Sequence, residues 1–509
     1  MYSKVNTCVL QGLNGHLVEV EADLSRGLPM FNIVGLPDAA IKESKERVRA
    51  AVKNSGYEFP LSRITINLAP ASLRKDGSQM DLAIAVGILR SATFLKEFDY
   101  EATIFIGELS LDGSLNRIEG ALPMVISMRE LGFKRFLVPF ANREECSIIG
   151  DVEIIPVENL WEACGYINGE LELKPYKSEG LGHASLADSD SIDFADIKGQ
   201  EGMKRAMEVS AAGAHNLLII GPPGSGKTMA ARRLPTILPD LELEEAIEVT
   251  KIYSVAGYLT SGGLIMKRPF RAPHHSASGV SIIGGGRVPK PGEVSLAHNG
   301  VLFFDELPEF QKNVLEVLRQ PLEDGSVQIS RVNASLSYPS RFMFVASMNP
   351  CPCGYLGDPL HSCSCSQGSI DRYLGKISHP LLDRIDLHIE VMPVKYDDLN
   401  MEMKARSSSE MKKAVENARK IQAERFADVK IFCNANMGNK EIKKYCKLDS
   451  SCEEIMRTAF DKYRLSGRSY NRILKVARTI ADLDSSDCIR ENHLLEAIGY
   501  RGLEKKYWG

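Results

Sequence analysis

The sequence has no long stretch of apolar residues. In its 509 residues, no uncharged run approaches the roughly 18 apolar residues that a membrane-spanning helix needs. The segment Met1–Leu10 carries one Lys and no apolar run of the kind found in signal peptides. We therefore expect no membrane span, no export signal, no membrane partner, and a protein that acts in the cytoplasm.

An excess of charge of one sign is also lacking. The chain has 62 Lys and Arg residues against 66 Asp and Glu residues, and its formal net charge is -4. This balance excludes a surface that is basic throughout, but it leaves room for a local basic channel that holds DNA. Hydrophobic residues at 44% and charged residues at 25% are ordinary for a folded, soluble protein.

The eleven cysteines do not suggest a disulfide framework, because their number is odd and nothing indicates export. Four of them form two Cys-x-Cys pairs separated by nine residues: Cys351, Cys353, Cys363 and Cys365. Four thiolates from one loop can surround Zn²⁺ tetrahedrally, so we predict structural zinc. Because the spacing is tighter than the usual zinc pattern, a redox pair, a metal-free loop, or His361 in place of one thiol are the alternatives.

The hydrophobic pattern divides the chain into three folded regions and a linker. A chain of 509 residues exceeds what one hydrophobic core usually organises. Residues 1–175 mix alternating strand patterns with helical stretches such as Ala39–Asn54, which predicts an α/β domain. Residues 176–191 are polar and rich in Gly and Ser, which predicts a linker. Residues 192–395 alternate apolar runs with amphipathic helices, as covered parallel sheets do, and residues 396–509 are helical.

A glycine-rich loop between a strand and a helix is the most specific motif. It follows the apolar strand 217–220 and consists of Gly221, Pro222, Pro223, Gly224, Ser225, Gly226, Lys227 and Thr228. In this context glycines let the backbone amides face the phosphates of a nucleotide. Lys227 is predicted to reach the β- and γ-phosphates of ATP, and Thr228 is predicted to hold Mg²⁺.

Acidic and amide side chains follow the later strands. Asp305 and Glu306 come directly after the apolar run Val301–Phe304. Asp305 is predicted to position Mg²⁺ together with Thr228, and Glu306 to polarise the attacking water; a simple acidic turn is the alternative. Asn349 ends the next strand, where its amide can orient the water beside the γ-phosphate or merely cap a loop.

Two arginines beyond these strands are candidates for contact with phosphate. Arg384 is predicted to reach the nucleotide of a neighbouring subunit, and a surface ion pair with Asp383 or Asp386 is the alternative. Arg468 and Arg472 are both candidates to touch the nucleotide from the C-terminal helices.

The order of these parts resembles the AAA+ ATPases, and within them the magnesium-chelatase-like branch that includes the YifB/ComM competence proteins. The resemblance covers essentially the whole chain and is carried by residues 196–200, 221–228, 270–276, 295–306, 349–354, 381–386 and 476–482. It implies a P-loop core with a C-terminal helical lid, with Asn349 as sensor 1, Arg384 as a trans-acting arginine finger and Arg468 as sensor 2. Because such a finger works only across a subunit interface, the resemblance also implies a ring, usually a homo-hexamer.

The resemblance also implies DNA as the substrate. The family is associated with branch migration of recombination intermediates during natural transformation, hence with a helicase or translocase on single-stranded or branched DNA. Protein remodelling and metal-chelatase work without DNA are the alternatives. Residues near 270–287 and 327–338 look like insertions that line the pore of related motors. Their basic side chains suit sequence-independent phosphate contact, or else belong to ordinary solvated loops: Arg268, Arg271, His274, His275, Arg287, Lys290 and Arg331.

Residues 64–167 resemble the proteolytic domain of Lon, within a domain of the ChlI type. Lon-type proteolysis needs a Ser nucleophile and a Lys base. The nucleophile position matches Gln79, with Ser78 one place too early, and residues 120–124, where the base belongs, contain no Lys. A serine without an amine to take its proton is weakly activated. We therefore expect no protease activity, and a binding or assembly role instead.

Overall fold

The structure is a computed structural model that describes residues 1–177, 192–259, 263–286, 289–331, 334–393, 406–429 and 431–508, with the backbone alone at 330, 331, 334 and 335. The predicted linker 176–191 lies outside the described residues except for its first two positions, as do Arg287 and the side chain of Arg331. Among the described residues, no helix combines the length and apolar character that crossing a membrane requires.

The strands form one large sheet in each half of the chain, together with short two-stranded ladders. In chain order they are β1 (Tyr2–Gln11), β2 (Asn14–Ser25), β3 (Met30–Val34), β4 (Arg63–Ala69), β5 (Thr103–Phe105), β6 (Glu108–Leu109), β7 (Leu115–Asn116), β8 (Arg135–Pro139), β9 (Glu153–Val157), β10 (Leu217–Ile220), β11 (Phe270–Arg271), β12 (Gly284–Gly285), β13 (Lys290–Pro291), β14 (Val301–Phe304), β15 (Ser326–Arg331), β16 (Ala334–Pro339), β17 (Met343–Met348) and β18 (Leu387–Glu390).

The helices cover these sheets and make up the C-terminal part of the chain. In chain order they are α1 (Ala39–Asn54), α2 (Asp81–Ser91), α3 (Ala121–Glu130), α4 (Arg143–Cys146), α5 (Leu160–Ile167), α6 (Glu201–Gly213), α7 (Lys227–Arg233), α8 (Leu243–Ala256), α9 (Gly279–Ile283), α10 (Glu293–Leu296), α11 (Lys312–Val317), α12 (Arg319–Asp324), α13 (Gln367–Leu374), α14 (His379–Leu382), α15 (Ser408–Arg425), α16 (Asn439–Tyr445), α17 (Ser450–Tyr463), α18 (Gly467–Leu483), α19 (Glu491–Gly499) and α20 (Gly502–Trp508).

The first compact unit comprises residues 1–177 together with 243–259 and 263–266. Its sheet has the strand order β3-β4-β2-β1-β5-β8-β9 and starts with a long antiparallel hairpin of β1 and β2. Gly12, with φ of +66°, supplies the left-handed conformation that the two-residue turn of this hairpin needs. Helix α1 begins where the side chain of Asp38 accepts a hydrogen bond from the backbone N–H of Ile41, an N-cap that fixes the predicted start.

Helix α8 packs within this first unit, although its residues lie in the range that the sequence assigns to the ATPase core. The Ser254 hydroxyl donates a hydrogen bond to the buried carboxylate of Glu145 at 2.8 Å. The Ser254 carbonyl accepts one from the Gly120 N–H at 3.1 Å. Ile247 packs against the apolar core beneath β5 and α3. Residues 243–259 and 263–266 therefore belong to the first unit, although in the sequence they lie between stretches of the second.

The second unit comprises residues 192–242, 267–286, 289–393 and 406–508 where these are described. Its sheet has the order β11-β14-β17-β10-β18, and every pair of neighbouring strands is parallel. The three inner strands β14, β17 and β10 are buried along their whole length and almost entirely apolar, as in parallel sheets that are covered on both faces. The C-terminal helices share one hydrophobic core with this sheet, in which Ile219 and Val345 belong to the same cluster as Ile473 and Leu494. The predicted α/β class with a parallel-sheet core and helical C-terminal part is confirmed.

Candidate nucleotide-binding site

Three neighbouring parallel strands, β14, β17 and β10, end at one edge of the second sheet. The register pairs Ile220 with Met348, so β10 and β17 end level, and it pairs Phe304 with Ala346, so β14 ends two residues earlier at the same edge. The loop 221–228 follows β10, Asp305 and Glu306 follow β14, and Asn349 follows β17. Ligands of open α/β sheets bind at such carboxyl ends. The sheet therefore brings together residues that are far apart in the sequence.

The glycine-rich loop requires glycine at defined positions. Gly224 and Gly226 have φ of +77° and +85°, which other residues rarely adopt, and their missing Cβ atoms would point into open space. A Cβ on Gly221 would lie 2.5 Å from the carbonyl oxygen of Val391, so the loop backbone is packed against the strand beside it. The Ser225 hydroxyl closes the loop by donating to the Pro222 carbonyl at 2.8 Å.

Lys227 is buried in this loop, with 8% of its surface exposed. Its ammonium donates to the carbonyl oxygens of Gly221 at 2.7 Å and Pro222 at 2.8 Å, and to Asn349 Oδ1 at 3.3 Å. Burial lowers the pKa of Lys227 from 10.5 to about 8, although the charge of Asp305 opposes this shift. The acceptors around this ammonium are all neutral. Its hydrogen bonds would therefore become stronger if charged phosphate oxygens replaced those acceptors.

Thr228 and Asp305 form a pair of oxygen ligands. Thr228 Oγ1 donates to Asp305 Oδ2 at 2.7 Å, and the other carboxylate oxygen accepts from the Ser347 hydroxyl. A carboxylate and a hydroxyl at the mouth of a phosphate loop are the donor types that Mg²⁺ takes alongside phosphates. The residues present thus fit this ion. Ser347 orients Asp305. This role could not be predicted from the sequence, because a single serine in an apolar strand does not indicate which residue it contacts.

Glu306 projects from the same edge in a strained conformation. Its φ of +53° is left-handed, which for a residue other than glycine is a feature of functional sites. Its side chain is 57% exposed, and Oε2 lies 3.8 Å from His275 Nδ1. The rings of His275 and His274 stack with centroids 4.0 Å apart. The predicted pore insertion therefore contacts the carboxylate that is predicted to polarise water.

The two arginines that are predicted to contact phosphate, Arg384 and Arg468, both influence the acidic residue Glu323 of their own chain. Arg384 donates to the carboxylate of Glu323 and to the Pro380 carbonyl at 2.6 Å. The hydrogen bond and charge of Arg384 lower the pKa of Glu323, and the charge of Arg468 lowers it further. Arg468 is exposed at the start of α18. Arg472, the less favoured sensor 2 candidate, is mostly buried with its Nη1 atom 3.7 Å from Asp386.

Two of the basic residues assigned to the pore insertions have structural contacts. Arg271 forms a bidentate ion pair with Glu293, at 2.7 and 2.8 Å. Arg268 donates to the carbonyl oxygens of Pro239 at 2.7 Å and Asn299 at 2.8 Å. These contacts fix the base of the insertion, so neither side chain is a simple solvated cation. The ladder of β15 and β16 stands where the sequence places a hairpin.

The four clustered cysteines converge as the spacing predicts. Their sulfur atoms all lie within 4.8 Å of one another, and the Cys351 Sγ atom is 3.4 Å from that of Cys353 and 3.7 Å from that of Cys363. A hydrogen bond from the Tyr355 backbone lowers the pKa of Cys353, which favours the thiolate form that binds metal. Four converging thiols are the ligand set of a closed tetrahedral zinc site.

His361 does not join this cluster. Its Nδ1 atom lies 3.4 Å from Asp358 Oδ2, and its ring packs on Tyr355 with centroids 4.8 Å apart. The structure thus favours four sulfur ligands over a set in which the imidazole replaces one of them.

At the position of the Lon-type nucleophile, the side chains of the first unit stabilise local structure. Gln79 donates from its amide to the Asp76 carbonyl at 2.9 Å, and the Ser78 hydroxyl donates to Glu108. Lys75 is fully buried and donates to the carbonyl oxygens of Leu68, at 2.8 Å, and Pro70.

Comparison with known proteins gives a consistent result. Residues 193–399 match the family described as magnesium chelatase, subunit ChlI; residues 405–501 match its C-terminal part; and residues 20–142 match subunit ChlI of Mg-chelatase. Competence protein ComM of Haemophilus influenzae is 42% identical over 97% of this chain and 96% of its own. YifB of Escherichia coli is 40% identical over 99% of this chain and 97% of its own. The 38 kDa magnesium-chelatase subunit of Rhodobacter capsulatus is 28% identical over 31% of this chain and 50% of its own.

Proposed function

This chain belongs to the magnesium-chelatase-like AAA+ family of ComM and YifB, and on that premise we propose that it is a cytoplasmic, ATP-hydrolysing ring motor that acts on DNA. The observation that carries the ATPase proposal is the 2.7 Å contact between Thr228 Oγ1 and Asp305 Oδ2. It sets two oxygen ligands side by side at the mouth of a loop whose glycines leave its backbone open to phosphate.

Each residue of the site has a role in ATP hydrolysis. The Lys227 ammonium exchanges its carbonyl acceptors for β- and γ-phosphate oxygens, and the loop amides bind the remaining phosphate oxygens. Thr228 and Asp305 would hold Mg²⁺, and the bound ion would supply positive charge against the phosphates. Glu306 polarises the attacking water, and the Asn349 amide orients that water beside the γ-phosphate.

We propose that Arg384 acts on the nucleotide of a neighbouring subunit, and that Arg468 contacts the nucleotide from the C-terminal helices. In its own chain, Arg384 contacts Glu323 and Pro380. A guanidinium stabilises the charge of phosphoryl transfer only when it reaches the transferring group. In a ring, each subunit offers Arg384 to the adjacent P-loop, and Arg384 leaves Glu323 for phosphate. A homo-hexamer is the ring that the family resemblance implies.

DNA is proposed as the substrate because the full-length likeness includes a competence protein. The contact between His275 and Glu306 supports the proposal, since it joins the insertion that would meet DNA to the hydrolytic carboxylate. His274 and His275 are described basic side chains suited to phosphate, whereas Arg268 and Arg271 hold the fold. Branch migration of recombination intermediates during natural transformation is the specific activity that we propose.

We further propose that Zn²⁺ binds Cys351, Cys353, Cys363 and Cys365 as a structural ion. Four sulfur ligands leave no position open for water or substrate, so the ion would organise the loop rather than take part in hydrolysis. Metal analysis of the purified protein tests this directly. We expect one zinc ion per chain in the wild type and none in the Cys365→Ser variant. A wild-type protein without zinc would refute the proposal.

The DNA proposal is tested by measuring ATP turnover with single-stranded DNA, forked DNA, duplex DNA or unfolded protein as the added ligand. Forked or single-stranded DNA is expected to stimulate turnover, and the stimulation should weaken steeply as salt rises, because phosphate contacts release counterions. Glu306→Gln, purified identically, controls for contaminating ATPases. The same preparations, mixed with a labelled four-way junction, test strand exchange directly.

The outcomes separate the two candidate functions. Stimulation by unfolded protein, with no response to any DNA, would replace the DNA motor by a protein-remodelling ATPase. Turnover that responds neither to DNA nor to unfolded protein would favour a chelatase-type function. The match with the 38 kDa chelatase subunit is the observation that supports this alternative. Absence of Mg-ATP turnover under all conditions would reject the ATPase itself.

A further inference from the structure

The cysteine loop, defined as residues 351–365, lies directly against the phosphate loop. It begins two residues after Asn349, the candidate sensor. Gly354 has φ of +88°, and a Cβ added there would come within 2.7 Å of Pro223 Cδ. Leu356 lines a narrow cleft together with Gly221 and Pro222. The loop thus adjoins the phosphate loop at Gly354 and beside Leu356.

The four thiols bring the two ends of this loop together. Between β17 and α13, all of whose connecting residues are described, no helix or strand interrupts the chain. Cys351 is fully buried beside the sheet, whereas Cys353, Cys363 and Cys365 are partly exposed. A metal that bonds all four sulfur atoms fixes both ends of the loop at once, and removing it frees about a dozen residues, each of which gains backbone entropy.

The phosphate loop needs external support, because its glycines make it intrinsically mobile. A Cβ added at Gly224 or at Gly226 would meet no atom within 4 Å, so little restrains the loop on that side. Pro223 is held from outside by Gly354, whose lack of a side chain permits the close approach. A loop that is already ordered loses less entropy when it binds a ligand.

We propose that zinc in the cysteine loop sets the position of Gly354 against Pro223, so that metal loading controls the affinity of the phosphate loop for nucleotide. The inference rests on the proposed zinc and ATP sites and adds a link between them. Structural metal and nucleotide then stabilise the same arrangement, and loss of the metal weakens ATP binding by about ten-fold, as ordering about one further residue on binding requires.

Two glycines of the same loop provide a matched test. Gly354→Ala and Gly357→Ala impose similar backbone strain, since their φ values are +88° and +80°. A Cβ at Gly354 meets Pro223, but a Cβ at Gly357 meets nothing within 4 Å. In the full-length protein we expect both variants to keep wild-type zinc, and only Gly354→Ala to bind a fluorescent ATP analogue about ten-fold more weakly. Equal affinities in the two variants, whether both unchanged or both reduced, would overturn the contact that we infer.

Metal removal provides the second arm. Zinc-free protein, prepared with a chelator and shown folded by circular dichroism, is expected to bind the analogue about ten-fold more weakly, and added zinc should restore affinity in wild type but not in Cys365→Ser. Wild-type affinity in folded, zinc-free protein would overturn the link while leaving the ATP site intact. If the isolated wild type contains no zinc, the metal site is rejected. If zinc-loaded wild type does not bind the analogue, the ATP site is rejected.

Discussion

Lys227→Met is expected to abolish ATP binding and yet stabilise the nucleotide-free protein. Burial lowers the pKa of Lys227 from 10.5 to about 8, which corresponds to at most about 3 kcal/mol against the charged form in the folded state. Methionine has a similar length and carries no charge. Its cost is that the Gly221 and Pro222 carbonyls lose a donor, about 1 kcal/mol each. The net expectation is a gain of about 1 kcal/mol in the free energy of unfolding.

The pH dependence of this gain has a defined sign. Below about pH 8, both folded and unfolded protein carry a protonated Lys227, so the cost of the buried charge is fully present. Between about pH 8 and 10.5, the unfolded state binds more protons at this site than the folded state, and the wild type gains stability relative to the variant. The advantage of Lys227→Met should therefore shrink as pH rises through this window.

Urea unfolding of both proteins without nucleotide, at pH 7 and pH 9.5, measures the effect. Saturating Mg-ATP should then reverse the order, because ligand at about a hundred times its Kd stabilises the wild type alone by about 2.7 kcal/mol. Lys204→Met is the matched control, since Lys204 is also buried but pairs with Glu201 at 2.9 Å; it should lose stability and keep the ATP response. A nucleotide-free Lys227→Met that is clearly less stable than wild type would refute the reasoning from burial, and an ATP response in that variant would refute the site.

Three further substitutions test the remaining roles. Glu306→Gln should bind Mg-ATP about as tightly as wild type and lose at least about a hundred-fold in kcat, since it keeps the shape of the site without the base; normal turnover contradicts the role. Arg384→Ala should bind ATP normally but not turn it over, and mixing it with Glu306→Gln subunits, which supply the finger, should restore part of the rate; absence of rescue counts against action in trans. His275→Ala should remove the restraint on Glu306, so that basal turnover rises toward the DNA-stimulated rate; an unchanged ratio of the two rates would mean that the contact is incidental.

Features that depend on neighbouring residues could be predicted from the sequence. Helix α1 spans the predicted residues because its cap and its apolar spacing are local properties. The parallel sheet follows from uniformly apolar runs such as Val301–Phe304, which suit a strand covered on both faces. The convergence of the four thiols follows from their spacing, because two cysteines one residue apart must lie close and a short loop joins the pairs.

Features that depend on long-range packing could not be predicted. His275 meets Glu306, and Glu323 holds Arg384, only because separate elements fold against each other. A charged residue on an exposed helix looks the same in the sequence whichever partner it finds. Helix α8 is a further example, since its apolar face would suit the core of either unit, and only the structure shows which one receives it.

The placement of α8 has a consequence for genetics. A deletion of residues 1–177 removes the apolar partners of Ile247 but leaves helix α8 in the remaining protein. The apolar face of α8 would then be exposed to solvent and would promote aggregation and degradation. A fragment ending at residue 177 keeps Glu145 buried but deprives it of the Ser254 hydroxyl. Neither truncation isolates a self-sufficient half, so a loss-of-function phenotype from such an allele reports misfolding. The contribution of the first unit to the cell is better measured with point mutations on its surface.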